Sequence, residues 1–173
     1  RILVVSHLEN YGLGTARNTG FALACSLWIM ALDADNRLKE SCCARCLEVA
    51  DASGAAFVYP IIQRFGNQTG TFGGEPFMPA RMQGGNSIDA MALISKEAWA
   101  AVGGYSSMRL GWEDYDFWLR LIEHGLHGEP IPEVLAEYRV HSKSMLRTIT
   151  DKLDNKKALI QYLEREHPWV RIT

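Results

Sequence analysis

Apolar and polar positions fall into two regimes along this chain. Over the first sixty residues, short apolar runs alternate with longer amphipathic ones. "RILVV" (residues 1–5) is a β-branched run of strand character. "HLENYGLG" is rich in turn formers, and "TARNTGFALACS" has helical periodicity with Thr15 near its start. "LWIMAL" (27–32) is apolar throughout, the pattern of a central parallel strand covered by helices on both faces. "NRLKESCCARCLEVADAS" predicts a helix, with Leu38, Cys42, Leu47 and Val49 among its apolar positions and a stop near Gly54. "AAFVYP" predicts the next strand, closed by Pro60. Repeated strand–helix alternation predicts a parallel sheet in a layered α/β fold, with ligands beyond the carboxyl ends of the strands. Asp33 and Asp35 fall at such an end.

The second half has another character. Residues 63–87 are rich in Gly, Pro and Asn without a period, as in long functional loops. "DAMALIS" is strand-like, and "KEAWAAV" is a short helix capped by Ser95 and ended at Gly103–Gly104. "EDYDFWLRLIEHG" is a strong helix: Phe117, Leu121 and His124, or Trp118 and Ile122, share a face, and Gly125 ends it. "LAEYRVH" reads as a strand, and "DKLDNKKALIQYLEREH" as an amphipathic terminal helix with Asp151 near its start. There are no internal repeats.

Composition narrows the class. A chain of 173 residues, 47% hydrophobic and 22% charged, is enough for one domain with a real core. A net charge of −2 offers no basic surface for nucleic acid. No apolar run reaches the length of a membrane span. The expected location is the cytoplasm, with peripheral attachment at the inner face of the membrane as the remaining option. Three of the four cysteines cluster at Cys42, Cys43 and Cys46, on a predicted helix. That placement suits reduced thiols, and the CxxC of Cys43 and Cys46 lacks the second ligand pair of a zinc site. They read as ordinary helix residues.

Two acidic groups carry candidate chemistry. Asp33 and Asp35, one residue apart at a strand end, repel each other unless a cation joins them. Oxygen ligands suit Mg2+ or Mn2+, and such ions commonly bridge to substrate phosphates. The competing reading is a solvated loop whose Asp caps the following helix. A calcium-binding EF-hand loop is excluded because Arg37 and Leu38 stand at its fifth-ligand and glycine positions. Arg37 also breaks the pattern of haloacid-dehalogenase phosphatases. The second group is "GWEDYDFWLR" (111–120), where Glu113, Asp114 and Asp116 gather at a helix start. Either they serve the helix dipole, or one is a general base for an acceptor hydroxyl.

Taken in order, "GLGTARNTGFALA", "WIMALDADN", "FVYP", "ISKEAWAAVGGY", "GWEDYDFWLRLIEHG" and "YRVHSKSM" make the chain resemble a family 2 glycosyltransferase of the GT-A fold over most of residues 10–146. The resemblance implies a Rossmann-like α/β/α sandwich with a mostly parallel sheet. It also implies inverting transfer of a sugar from a nucleotide-diphosphate donor to a carbohydrate or lipid-linked acceptor, as in polysaccharide or glycoconjugate synthesis. Asp35 would then hold Mn2+ or Mg2+, with Asp33 near the ribose and supporting the metal shell. His141 matches a position that supplies a third metal ligand in many relatives, its other reading being structural. Asp114 matches the general base, and Glu113 would orient acceptor hydroxyls. Arg17 would contact the nucleotide or anchor the neighbouring loop, while Asn18 is structural. Trp112 would stack on an acceptor sugar or belong to the core, and Asn86 in "MQGGNSI" is the best polar contact on an acceptor wall.

The chain opens at Arg1 without Met and lacks the family's two opening strands with their share of the nucleotide-base pocket. It therefore resembles an N-terminally truncated member, a single partial domain. Residues 1–62 would be the rest of the nucleotide- and metal-binding half, 63–147 the acceptor and catalytic half, and 148–173 a C-terminal helix. The expected consequences are weak nucleotide binding, little activity of this piece alone, and an unpaired edge on "LWIMAL". Either the first strand or a second copy of the chain, as a homo-oligomer, would cover that edge. The alternatives are a non-catalytic carbohydrate- or partner-binding remnant of a transferase and, more distantly, a nucleotide-sugar hydrolase.

Overall fold

The computed structural model describes residues 2–172. The chain runs α1 (Leu13–Leu23), β1 (Trp28–Met30), β2 (Arg37–Leu38), α2 (Cys42–Ser53), β3 (Phe57–Gly66) and β4 (Gly70–Phe72). After a short 3-10 turn at Pro79–Gln83 come β5 (Leu93–Ser95), α3 (Lys96–Ala101), α4 (Glu113–Glu123) and β6 (Gly128–Val140). A π-helical turn at Leu146–Thr150 then leads to α5 (Leu153–Glu166).

Local chemistry sets several boundaries. The Ser95 hydroxyl accepts from the Ala98 N–H and caps α3, as the sequence predicts. Gly54, at φ 67°, closes α2 in the left-handed conformation, its N–H donating to Ala50 O. In α4, three acids in the first turn and Arg120 in the last complement the helix dipole at both ends.

The sheet is ordered β1-β5-β3-β6-β2, with β4 hydrogen-bonded to β3 outside this path. Successive residues of β3 serve different layers. Phe57 and Tyr59 enter a core built with Phe21 of α1, Phe117 and Trp118 of α4 and Leu163 of α5. Val58 points the other way, onto Cys42, Cys46 and Ala50 of α2. The α/β/α layering of the sequence reading is therefore present. Asn18 ties the layers locally, as a structural residue should: its Oδ1 accepts from Trp99 Nε1 and Tyr105 N, and its Nδ2 donates to Tyr105 O.

Several expectations change. The sheet is mixed rather than mostly parallel, because only β3 and β6 run parallel while the other paired strands run antiparallel. "LWIMAL" is not a central parallel strand: Trp28–Met30 form an edge strand, antiparallel to β5 and half-buried. "RILVV" forms no strand among the described residues, Arg1 lying outside them. Ile2, Leu3 and Val4 are 92, 69 and 83% exposed, so β propensity there finds no partner backbone to pair with. The predicted helix from Asn36 begins only at Cys42, because Arg37 and Leu38 pair with Glu137 and Ala136 of β6. Pro60 does not close β3, whose register against β6 shifts between Pro60 and Ile62. Such an irregularity accommodates a residue without an N–H. The supposed loop 63–87 contains the end of β3, all of β4 and the 3-10 turn. Asp151 precedes the last helix, closing the π-helical turn.

Candidate active site

The acidic turn after β1 is held from β6. Asn36 Oδ1 accepts from Arg139 N (2.9 Å), and Arg139 Nε donates to Asp35 O (3.1 Å). Asn36 N in turn donates to Asp33 O (3.1 Å), closing the turn. His141 lies immediately past β6, and its Nε2 is 3.0 Å from Asp35 Oδ2. Two residues distant in sequence thus converge because β2 pairs with β6.

Asp33 faces α1. Arg17 Nη2 donates to Asp33 Oδ1 (3.0 Å) while its Nη1 donates to Glu113 Oε1 (2.5 Å). The guanidinium is almost wholly buried; burial opposes its charge, but Asp33 and Glu113 overcome this and raise its pKa above the usual arginine value. Arg17 therefore joins the acidic turn to the start of α4, a stronger form of the anchoring alternative. Its Nε is buried with no partner among the described residues.

The turn before α4 aims the acids. Gly111 has φ 101°, and a Cβ there would collide with Thr150 Oγ1. Trp112 adopts φ 61°, the only non-glycine residue with positive φ among those described. Such a conformation costs about 1–2 kcal/mol for an L-residue and persists only where the surroundings enforce it. Trp112 is half-buried, packs edge-on to Tyr115 and also lines the cleft. Glu113 is 4% exposed and bonded to Arg17, so its carboxylate is committed to that pair rather than open to acceptor hydroxyls.

Asp114 opens toward the cleft. Its Oδ1 accepts from Tyr115 N (2.8 Å) and its Oδ2 from Asn86 Nδ2 (3.0 Å). Burial, and then the Glu113 charge, push its carboxyl up to about 7, with Arg17 opposing. Part of its surface stays accessible, but that part faces the cleft. Asp89 is similarly pushed up to about 6, chiefly by burial, although its carboxylate accepts from Met91 N.

Arg17, Asp33, Asp35, Asn86, Asp114 and His141 all border one cleft of about 760 Å³, with Trp112 and Glu113 also on its wall. The residues to which the resemblance assigns site roles therefore reach the same cavity, whereas Asp116, the third acid at the start of α4, is buried away from it against Arg120 and His167. The sequence reading passed over Asp89, Asn36 and Arg139. Asp89 had a usable signal, since Asn86-Ser-Ile and Asp89-Ala-Met both place a short acceptor side chain two residues before a backbone N–H. Arg139 had only its place inside "YRVH".

The donor set suits a hard divalent cation in part. Asp35 Oδ2 and His141 Nε2 lie 3.0 Å from each other, whereas Asp33 Oδ1 is engaged by Arg17. Among the described residues no group of three His, Cys, Asp or Glu side chains is arranged to hold a metal ion. Two protein donors with the remaining positions left to substrate and water is the usual arrangement for Mg2+ carrying a nucleotide.

Comparison with known proteins agrees with this architecture. A glycosyltransferase of Haemophilus influenzae, described as uncharacterised, is 30% identical over 176 residues, covering 96% of this chain. The chain spans 59% of that relative's length. The mannosyltransferase PcManGT of Pyrobaculum calidifontis, solved with GDP-Man and Mn2+, superposes with a TM-score of 0.58 at 15% identity, over 82% of this chain and 40% of its own. Residues 1–349 of S. aureus TarS, solved with UDP, superpose with a TM-score of 0.57 at 9% identity, over 90% of this chain and 52% of that one. At such identities the structural likeness speaks for the GT-A fold. The sequence model of glycosyl transferase family 2 matches residues 1–114, from the exposed N-terminal segment to Asp114 itself, and the chain belongs to that family.

Proposed function

We propose that the cleft belongs to a metal-dependent, inverting glycosyltransferase that moves a sugar from a nucleotide-diphosphate donor to an acceptor hydroxyl. The observation that carries this reading is the convergence of the Asp35–His141 pair and Asp114, from three separate stretches of chain, on one cavity. Further support comes from PcManGT and TarS, solved with GDP-Man and Mn2+ and with UDP respectively.

Asp35 and His141 would hold the cation, with Asp33 behind them. When bound, the cation neutralises charge on the departing diphosphate. Asp114 Oδ2 takes the acceptor proton as the acceptor oxygen bonds to the anomeric carbon and the bond to diphosphate breaks on the opposite face. A carboxyl with a value near 7 is half ionised at neutral pH, which suits a base that must accept a proton and later release it. Arg17 holds Asp33 and Glu113 apart from the reacting groups. The Trp112 ring on the cleft wall offers a stacking surface for the acceptor sugar.

Transfer of labelled sugar, compared between the chain and its Asp114→Asn variant in the presence of Mn2+, tests the reading. Loss of general-base assistance lowers the rate by about 100-fold or more. A variant that turns over at the original rate removes Asp114 from this role.

A further inference from the structure

We propose that Asn86 is a positioning residue for Asp114: its amide, locked by its own loop, holds carboxylate oxygen Oδ2 in a fixed orientation on the cleft wall. The sequence reading assigned Asn86 to the acceptor alone. The inference builds on the reading of Asp114 as the base, but its geometry stands without it.

The amide has one orientation only. Asn86 Oδ1 accepts from Ile88 N (3.1 Å), so the NH2 group must face Asp114, where Nδ2 donates to Oδ2 (3.0 Å). Flipping the amide would set oxygen against oxygen and forfeit both bonds. Asp114 Oδ1 is separately tied to Tyr115 N (2.8 Å), which makes the two carboxylate oxygens inequivalent.

The loop that carries Asn86 is fastened to the same helix that carries Asp114. Tyr115 donates its hydroxyl to Met82 O, and Trp118 Nε1 donates to Ile88 O (2.9 Å). Met82 and Ile88 are buried to 1% and 3% exposure. Loop and helix therefore hold the Asn86–Asp114 contact between two anchored points. Asn86 itself is exposed, so truncating it removes no core packing.

A donor aimed at a carboxylate favours its ionised form. The other groups around Asp114 are Glu113 on its own helix, Arg17 from α1, Asp89 from the loop beyond Asn86, and the rings of Tyr105 and Tyr138. Arg17, the Tyr115 N–H on Oδ1 and the Asn86 amide on Oδ2 favour the charge. Removing the amide leaves Oδ2 without its donor while Arg17 and the Tyr115 N–H remain.

The test is a carbon-13 NMR titration of the Asp114 carboxyl in the unaltered chain and in Asn86→Ala, Asn86→Asp and Asn86→Gln. The Ala variant raises the midpoint by roughly one pH unit, and the Asp variant raises it further by placing a second carboxylate opposite. The Gln variant, with the amide on a longer arm, recovers part of the shift. A role in loop structure alone would affect Ala and Asp alike and leave the midpoint in place, and that result overturns the proposal. Where the chain turns over substrate, the ascending limb of the pH–rate profile follows the NMR midpoint. Movement of the midpoint without movement of the limb retains the positioning role and rejects Asp114 as base.

Discussion

The two acidic ends of the cleft are built to different standards. Asp114 stands on α4, whose Tyr115, Phe117, Trp118, Leu119 and Leu121 are at most 1% exposed. Asp35 hangs from a turn after a three-residue edge strand, its side chain 44% exposed and His141 beside it 36% exposed. On the proposed function, the rigid end is where a proton would be taken in a fixed direction, which demands preorganisation. The open end is where donor and cation would enter and leave. Packing is dense around Asp114 and sparse around Asp35.

The comparison breaks first if core substitutions on the two sides cost the same. Trp118 is fully buried, 4.9 Å from the Phe57 ring centroid, and bonded to Ile88 O. Its replacement by Ala is expected to cost about 3–5 kcal/mol by urea denaturation. Ile29→Ala in β1, partly buried, is expected to cost about 1–2 kcal/mol. Equal losses would mean the edge strand is as well supported as α4.

A smaller effect sharpens the open end. Asp35→Asn should weaken Mn2+ binding by at least roughly ten- to a hundredfold, the loss typical even of residues that only support a ligand. The urea midpoint should stay nearly unchanged, because the side chain is half exposed and, among the described residues, its one side-chain partner is His141. Calorimetric titration with Mn2+ reads the first quantity, and unaltered affinity would place the cation elsewhere.

The smallest effect concerns pH. Behind α4, His167 is 2% exposed, with Nδ1 2.8 Å from Glu123 Oε1 and Nε2 3.3 Å from Asp116 Oδ1. Burial works against the imidazolium, but Asp116 and Glu123 raise the His167 value above its ordinary 6.5. Its contribution to stability is complete below 6.5 and is lost as pH rises through the raised value. Asp116 behaves oppositely: despite burial, His167 and Arg120 hold it below 3.8, so its contribution is present above 3.8 and lost on acidification through the lowered value. Asp114, raised from 3.8 to about 7, costs stability progressively as pH climbs between those values. Urea midpoints should therefore fall as pH climbs from 3.8 to about 7 through Asp114, and from 6.5 upward through His167, while any transferase rate rises through neutrality. His167→Gln should flatten the alkaline part and Asp114→Asn the acidic part. A level midpoint across the range in the unaltered chain would contradict both assignments.

How far the sequence could be read follows from the same contrast. α4 was legible because local signals agree: acids at its start, apolar residues at helical spacing, and Gly125 after its end. The Ser95 cap and the Gly54 stop were legible for the same reason. β1 and β2 were not. A three-residue edge strand and a two-residue strand carry too little pattern, and their pairing depends on β5 and β6, more than sixty residues away in the chain. Pro60 misled because its cost in a strand is decided by the partner's register, which no local signal contains. In the site, the sequence named Arg17, Asp33, Asp35, Asn86, Asp114 and His141 as candidates, but not which of them bond to one another. Arg17 turned out to bridge two acids, and Asn86 to hold a third.

By itself, the sequence determined the layered α/β class, the family, the helix that carries Asp114 and the residue types able to bind a cation or accept a proton. These depend on periodicity, capping and short motifs, all local properties of a chain. Only the tertiary structure decided the antiparallel edge, the pairing of His141 with Asp35, the buried Arg17 bridge and the lock of Asn86 on Asp114. Each of those joins residues separated by 16 to 106 positions, and such contacts exist only once sheet register and helix packing have brought them within hydrogen-bonding distance.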